Sequence, residues 1–178
     1  MARQLLKCFG IIMSAQVFFE HDKRLMVFSS EWGRLAVLAK YALKNSKKFG
    51  GRIDPLNVVS MVLNKGKSFY YCTQCDLVQS FLNIRSDINR LMMAFYFIDI
   101  VYKSTFLEQP NPVLLELILT SLQALDTGTD IHQVRPQFHT QFLINEGIGS
   151  GKGPITDDMF YRHFETYSGH QVNIPCCI

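Results

Sequence analysis

The first eighty residues are a succession of short apolar runs separated by polar breaks. The runs are CFGIIMSAQVFF (8–19), KRLMVFSS (23–30), GRLAVLAKYA (33–42), NVVSMVLNKG (57–66) and SFYYCTQCDLVQS (68–80). They are rich in Val, Ile, Phe and Tyr, which fit a pleated, half-buried surface, so each is expected to be a strand. The breaks EHD, SEWG, KFGGRIDP and NKGK are polar or glycine-bearing, and glycine and proline in the last three allow the positive or fixed φ that turns require. Five short antiparallel strands in so few residues predict a small closed barrel, because closure leaves no exposed sheet edge.

Beyond Phe81 the period changes. Ile84, Ile88, Leu91, Met92, Phe95, Ile98 and Tyr102 recur at helical spacing. Asn111 followed by Pro112 is a helix start, and the run VLLELILTSLQALDTG closes on Gly128. That run is apolar on nearly all sides, which predicts the central helix of a bundle. Asp130 or Gln133 opens a third helix, with Pro136 tolerated in its first turn. Thr156 can cap a last helix, whose first turn holds Asp157 and Asp158, where the helix dipole favours negative charge. The class is therefore α+β, with a barrel domain at 1–80 and an α-helical domain at 81–178.

Composition narrows the class. Of 178 residues, 48% are apolar and 19% charged, which excludes a disordered chain. The greasiest stretch, LMMAFYFIDIV, contains Asp99 and is too short to span a bilayer, so no membrane association is expected. The N-terminal MARQLLKCFGIIMSAQ has the cations of a leader but runs straight into strand-like sequence and reads as the first strand. Five cysteines without regular spacing imply reduced thiols and a cytoplasmic address.

Charge is divided unevenly. Through Tyr70 there are 12 Lys and Arg against 4 Asp and Glu; from Tyr71 onward there are 6 against 11. A basic front half of this kind suits a polyanion. The excess concentrates in KYALKNSKKFGGR (40–52), and no acid occurs between Arg34 and Asp54. Tyr41 and Phe49 are interleaved among the cations as stacking platforms. A nucleic-acid strand needs a cationic track for its phosphates and flat faces for its bases. An oligonucleotide-binding (OB) barrel therefore fits better than an SH3-like barrel or a sandwich fragment.

The remaining motifs are weak. CTQC (72–75) is one C-x-x-C without the second pair that structural zinc needs, so its thiols are read as small core hydrophobes. GIGSGKGP fails as a phosphate loop, since Glu146 stands where the first glycine should be and Gly153 where Ser or Thr should follow Lys152. His132 and His139 lie singly on a helix and pair with no nucleophile. An enzyme built on the cysteines or the glycine-rich connector is the least supported class.

The order of these features resembles the RecO recombination-mediator family. Its pattern has an arginine before an apolar strand, an E-x-G turn, and a strand ending in lysine. A basic S-[KR]-[KR]-x-G-G loop, a proline-led strand, a K-G hairpin and a T-Q segment follow. Arg24, Glu31, Gly33, Lys40, Ser46, Lys47, Gly50, Gly51, Pro55, Gly66, Thr73 and Gln74 occupy those places. The likeness continues through NIRSDINRLMMAFYFIDIV, PNPVLLELILTSLQALDTG and FLINEG. It implies an OB-fold followed by an α-helical domain, and a nucleoid-associated, non-enzymatic protein of recombinational repair. It further implies binding of single- and double-stranded DNA, annealing of complementary strands, and loading of RecA with RecR onto DNA coated by single-strand-binding protein.

By position, Arg24, Arg34, Lys40, Tyr41, Lys44, Lys47, Lys48 and Arg52 are the expected DNA contacts. Arg90, Lys103 and Arg135 are expected to rim a cleft for the acidic tail of single-strand-binding protein. Many members of the family insert a four-cysteine zinc module after the stretch matching FLINEG. This chain has no such quartet, so no zinc or other cofactor is expected. The alternative is an OB-type RNA-binding or assembly adaptor without annealing activity.

Overall fold

A computed structural model of the protein describes residues 5–147 and 155–172. The connector 148–154 and the terminal Cys176 and Cys177 lie outside the described residues. The chain divides into two units, Met1–Ser80 with Thr105–Pro112, and Phe81–Ser104 with Val113–Ile178.

The first unit is a closed five-stranded barrel. Its strands are β1 (Leu5–Phe18), β2 (Asp22–Ser29), β3 (Gly33–Ala39), β4 (Val58–Lys65) and β5 (Tyr70–Gln79), ordered β1-β2-β3-β5-β4 around the wall. This is an OB-type barrel followed by helices. β1 pairs with β4 along its first half and with β2 along its second. The bend between the halves uses a register shift at Ile12–Ser14, which increases the local twist. Gly10 sits beside this bend, where a Cβ would lie 2.2 Å from the Phe28 carbonyl oxygen. All seams are antiparallel except β3–β5, which is parallel over Val37↔Tyr70 and Leu38↔Tyr71. The expectation of wholly antiparallel strands fails at this seam because the barrel closes there after the β4–β5 hairpin.

Alternate side chains fill the interior, among them Leu6, Cys8, Leu25, Val27, Leu35, Val37, Met61 and Leu63. Cys72 and Cys75 are three apart, so a regular strand would turn them to opposite faces. A register shift opposite Val62 and Leu63 resets the alternation, and both thiols point inward. Burial pushes the Cys8 thiol up to about 11. The hydrogen bond with Cys75, then burial, raise that of Cys72. Cys8 and Cys72 are thus packed, protonated thiols at neutral pH, while the hydrogen bond with Cys72 lowers the pKa of Cys75.

The barrel is stoppered by its own basic loop. Phe49 and Ile53, from the segment between β3 and β4, are 1% and 0% exposed and belong to the barrel core. Phe49 was expected to be a stacking platform; it is instead the plug, because a phenyl ring gains more from a dry barrel end than from water.

The second unit contains α1 (Leu82–Ser86), α2 (Ile88–Ser104), α3 (Pro112–Asp126), α4 (Ile131–Asn145) and α5 (Asp157–Ser168). The expected long helix breaks at Asp87, whose carboxylate caps α2 by accepting from the amides of Asn89 and Arg90. The buried face of α2 is Met93, Ala94, Phe97, Ile98, Ile100 and Val101, while Ile88, Phe95 and Tyr102 are exposed. The predicted stripe was thus rotated. The more central helix is α2, which meets α1, α4 and α5 and donates from Arg90 Nη1 to the Leu125 carbonyl of α3 at 3.2 Å. α3 keeps a narrow exposed row of Glu116, Thr120 and Gln123 that its overall greasiness conceals. Asp130 caps α4 at the amide of His132, which places Pro136 in the second turn rather than the first. Thr156 caps α5.

A polar network joins α2, α4 and α5. His139 is fully buried and stacks on Phe160 at 3.8 Å. Its Nε2 lies 2.7 Å from the Tyr96 hydroxyl, and its Nδ1 lies 3.2 Å from the Asp157 carboxylate, off the ideal donor line. Asp157 also pairs with Arg135 at 2.7 Å. Burial, then the Arg135 charge, lower the His139 pKa from 6.5 to about 3. The ring is neutral at pH 7; its Nε2 shares the short contact with the Tyr96 hydroxyl, which also reaches the Tyr161 hydroxyl at 3.3 Å.

Two predictions follow from the packing. Phe49→Ala should cost about 3–5 kcal/mol in urea unfolding, the range for truncating a buried phenylalanine; a loss under about 1 kcal/mol would mean the loop does not close the barrel. In the helical unit, the unfolded chain's His139 takes up a proton near pH 6.5 that the folded chain refuses until about pH 3. Stability should therefore fall as pH drops through that window. His139→Phe should lose less stability between pH 7 and 5 than the parent does, and equal losses would remove histidine as the cause.

Candidate nucleic-acid interface

The loop from Lys40 to Asn57 is rigid by construction. It begins at Tyr41, whose φ of 55° is held by its amide donating to Asp22 Oδ1 at 2.8 Å. The amides of Lys44 and Asn45 donate to the Tyr41 carbonyl, and those of Lys48 and Phe49 donate to that of Asn45. Arg52 reaches back, donating from Nη1 to the carbonyls of Lys47 (3.0 Å) and Lys48 (2.9 Å). Asn57 donates from its amide to the carbonyls of Gly51 and Arg52, at 2.7 and 3.1 Å. Lys23 ties Asp54 at 3.4 Å. Lysine side chains therefore leave a fixed backbone, so less entropy is lost when they grip a ligand.

Lys40, Lys44, Lys47 and Lys48 are all exposed. Lys40 and Lys48 line a cavity of about 520 Å³ together with Asn64, Lys65, Gly66, Tyr71, Cys72 and Thr73. The Lys40 ammonium lies 4.9 Å from the Tyr71 ring centre. The ring edge rests on the hairpin glycine, since a Cβ on Gly66 would lie 2.4 Å from Tyr71 Cε2. Across the barrel's outer wall, register pairs Gln16 with Arg24, Arg24 with Leu38, Leu38 with Tyr71 and Tyr71 with Asn64. Arg24 donates to Gln16 Oε1 at 3.0 Å on this same row.

The other expected contacts are dispersed. Tyr41 is 61% exposed and shares a shallow depression with Phe19, His21 and Lys40, so a flat face is open to solvent there. Arg52 is exposed but acts on the loop backbone, as a positioning residue. Arg34 is half-buried near the start of β3 and bridges Leu107, about 20 Å along the strand from Lys40. In the helical unit, Arg90, Lys103 and Arg135 each face a carboxylate, of Asp87 (3.6 Å), Asp99 (2.6 Å) and Asp157 (2.7 Å). Those pairs spend the charge that an acidic peptide would need.

Sequence reasoning missed Lys65 and Tyr71. NKGK was treated only as a turn, although its first lysine ends a strand beside two tyrosines. Lys65 lies 5.5 Å over the Tyr70 ring and 3.6 Å from Glu108. Tyr70, then Glu108, raise its pKa, so it is charged at neutral pH. Among the described residues no three His, Cys, Asp or Glu side chains converge as metal ligands do. No helix among them is long and apolar enough to cross a membrane.

The chain thus combines an OB-type barrel carrying exposed lysines with a separate helical unit. The family models "Recombination protein O N terminal" and "Recombination protein O C terminal" match residues 1–81 and 85–149, and the chain belongs to the RecO family. It is 29% identical over 145 residues to the DNA repair protein RecO of Caldicellulosiruptor bescii, covering 82% of this chain and 59% of that one. It is 35% identical over 120 residues to that of Acetivibrio thermocellus (67% and 48%) and 30% identical over 126 residues to that of Bacillus subtilis (71% and 49%). The chain thus spans about half the length of the curated relatives it matches.

If Arg52 is the clasp of the loop, Arg52→Ala should speed hydrogen exchange at the amides of residues 47–49 about tenfold or more, since charge-assisted bonds contribute about 1.5–3 kcal/mol. Unchanged exchange would leave Arg52 as a surface cation only.

Proposed function

We propose that this chain is a non-enzymatic DNA-binding mediator. It holds single- and double-stranded DNA by phosphate contacts, anneals complementary strands, and with RecR helps load RecA onto DNA coated by single-strand-binding protein. The carrying observation is the set of exposed lysines at 40, 44, 47 and 48 on a loop anchored inside the barrel, with no acid in its sequence from Arg34 to Asp54. Lys65 extends the set across the cavity.

Phosphate-directed contacts hold a strand without reading it and leave base edges free. Two strands brought to one cationic surface repel each other less, and their bases remain able to pair. Annealing follows from that arrangement without a catalytic group. Tyr41 and Phe19 supply sequence-tolerant stacking faces beside the track. In this reading the barrel grips DNA and the helical unit docks the protein partners, in the cytoplasm at the nucleoid.

The test is a triple substitution, Lys44, Lys47 and Lys48 to glutamate, in a chain whose circular dichroism is unchanged. Binding to unrelated single-stranded sequences should weaken by at least about tenfold and by a similar factor for each, the mark of backbone contact. Tight residual binding at low salt would reduce the loop to a solvated surface. Complementary strands coated with the cognate single-strand-binding protein should anneal faster with the parent chain than without it. A preference for RNA with no acceleration would favour the adaptor alternative.

A further inference from the structure

The cavity between the basic loop and the β4–β5 hairpin differs in kind from the open track. It is lined by Lys40 and Lys48 from the loop side of the barrel unit and by Lys65, Gly66 and Tyr71 to Thr73 from the β4–β5 hairpin. Each of its three lysines stands over an aromatic ring of the barrel unit: Lys40 over Tyr71 at 4.9 Å, Lys48 over Phe49 at 5.0 Å and Lys65 over Tyr70 at 5.5 Å. Ring contacts within about 6 Å attract an ammonium and narrow its wandering. All three rings are half-buried or buried, so the ammoniums are placed by the barrel itself.

We propose that this cavity is a subsite for a phosphate monoester, the charged terminus of a DNA strand, while the open lysines 44 and 47 take the chain leading to it. The inference rests on the DNA-binding reading and adds the chemical group that the cavity selects. Charge favours a terminus over a passing backbone. Three ammoniums line the cavity, and Glu108 lies 3.6 Å from one of them, which leaves two positive charges uncompensated. An internal phosphodiester brings one negative charge, whereas a phosphate monoester brings about 1.5 to 2 at neutral pH.

Size agrees with this assignment. A space of about 520 Å³ is within the range of small-molecule pockets and admits the terminal nucleotide with its phosphate. Asn64, whose carboxamide nitrogen can donate, lines the same cavity. Among the described residues, none that lines the cavity is acidic.

The experiment compares one single-stranded sequence in four forms at low salt by fluorescence anisotropy: 5′-phosphorylated, 3′-phosphorylated, hydroxyl at both ends, and circular. At least one phosphorylated form should bind about fivefold tighter than the hydroxyl form, and which form does so identifies the strand end. The circle should bind no tighter than the hydroxyl form. Lys65→Gln should bring the phosphate-to-hydroxyl ratio close to one, whatever it does to absolute affinity, and Lys65→Arg should retain the preference. Equal affinity for phosphorylated and hydroxyl ends overturns the subsite and leaves the DNA-binding reading standing. No binding of any form overturns both.

Discussion

One aromatic ring inside a barrel governs the rest of the molecule's front half. Phe49 lies at the centre of the most cationic segment of the chain, and its burial beside Ile53 fixes that segment to the barrel core. A loop rich in lysine is ordinarily solvated and mobile, because like charges repel and long side chains keep their rotamer freedom. Here the backbone cannot move far without emptying the barrel end, at the cost of a large cavity. The Arg52 and Asn57 bonds then hold the intervening carbonyls. Electrostatic binding on such a scaffold gains from preorganisation as well as from charge.

Much of the architecture was legible from hydrophobic texture alone. Five apolar runs gave five strands, and the polar break EHD with the glycine-bearing SEWG and NKGK gave the hairpins. The parallel β3–β5 seam was not legible, since no local pattern encodes which strands meet when a barrel closes. Helix ends marked by Pro112, Asp130 and Thr156 were readable because capping is a local chemistry. The face of α2 was misread. Ile88, Phe95 and Tyr102 share a helical spacing with core residues yet stand exposed, and the break at Asp87 resets the phase.

The candidate site was legible in part for the same reason. Lys40, Lys44, Lys47 and Lys48 are close in sequence, so their clustering needs no fold. Lys65 and Tyr71 join Lys40 only through strand register, a long-range fact. Phe49 was assigned the wrong role because an aromatic residue among cations has two destinations, a base or a core, and only the closed barrel decides between them. The family match over residues 1–81 covers the same stretch that folds as the barrel.

The most direct measurement is the salt dependence of single-strand binding by the intact chain. If about four phosphates are neutralised, a plot of log affinity against log salt should be linear with a slope of about −3. A slope near zero, or no complex with a labelled oligonucleotide even in dilute buffer, would contradict the claim that a barrel-anchored set of ammoniums grips the phosphate backbone.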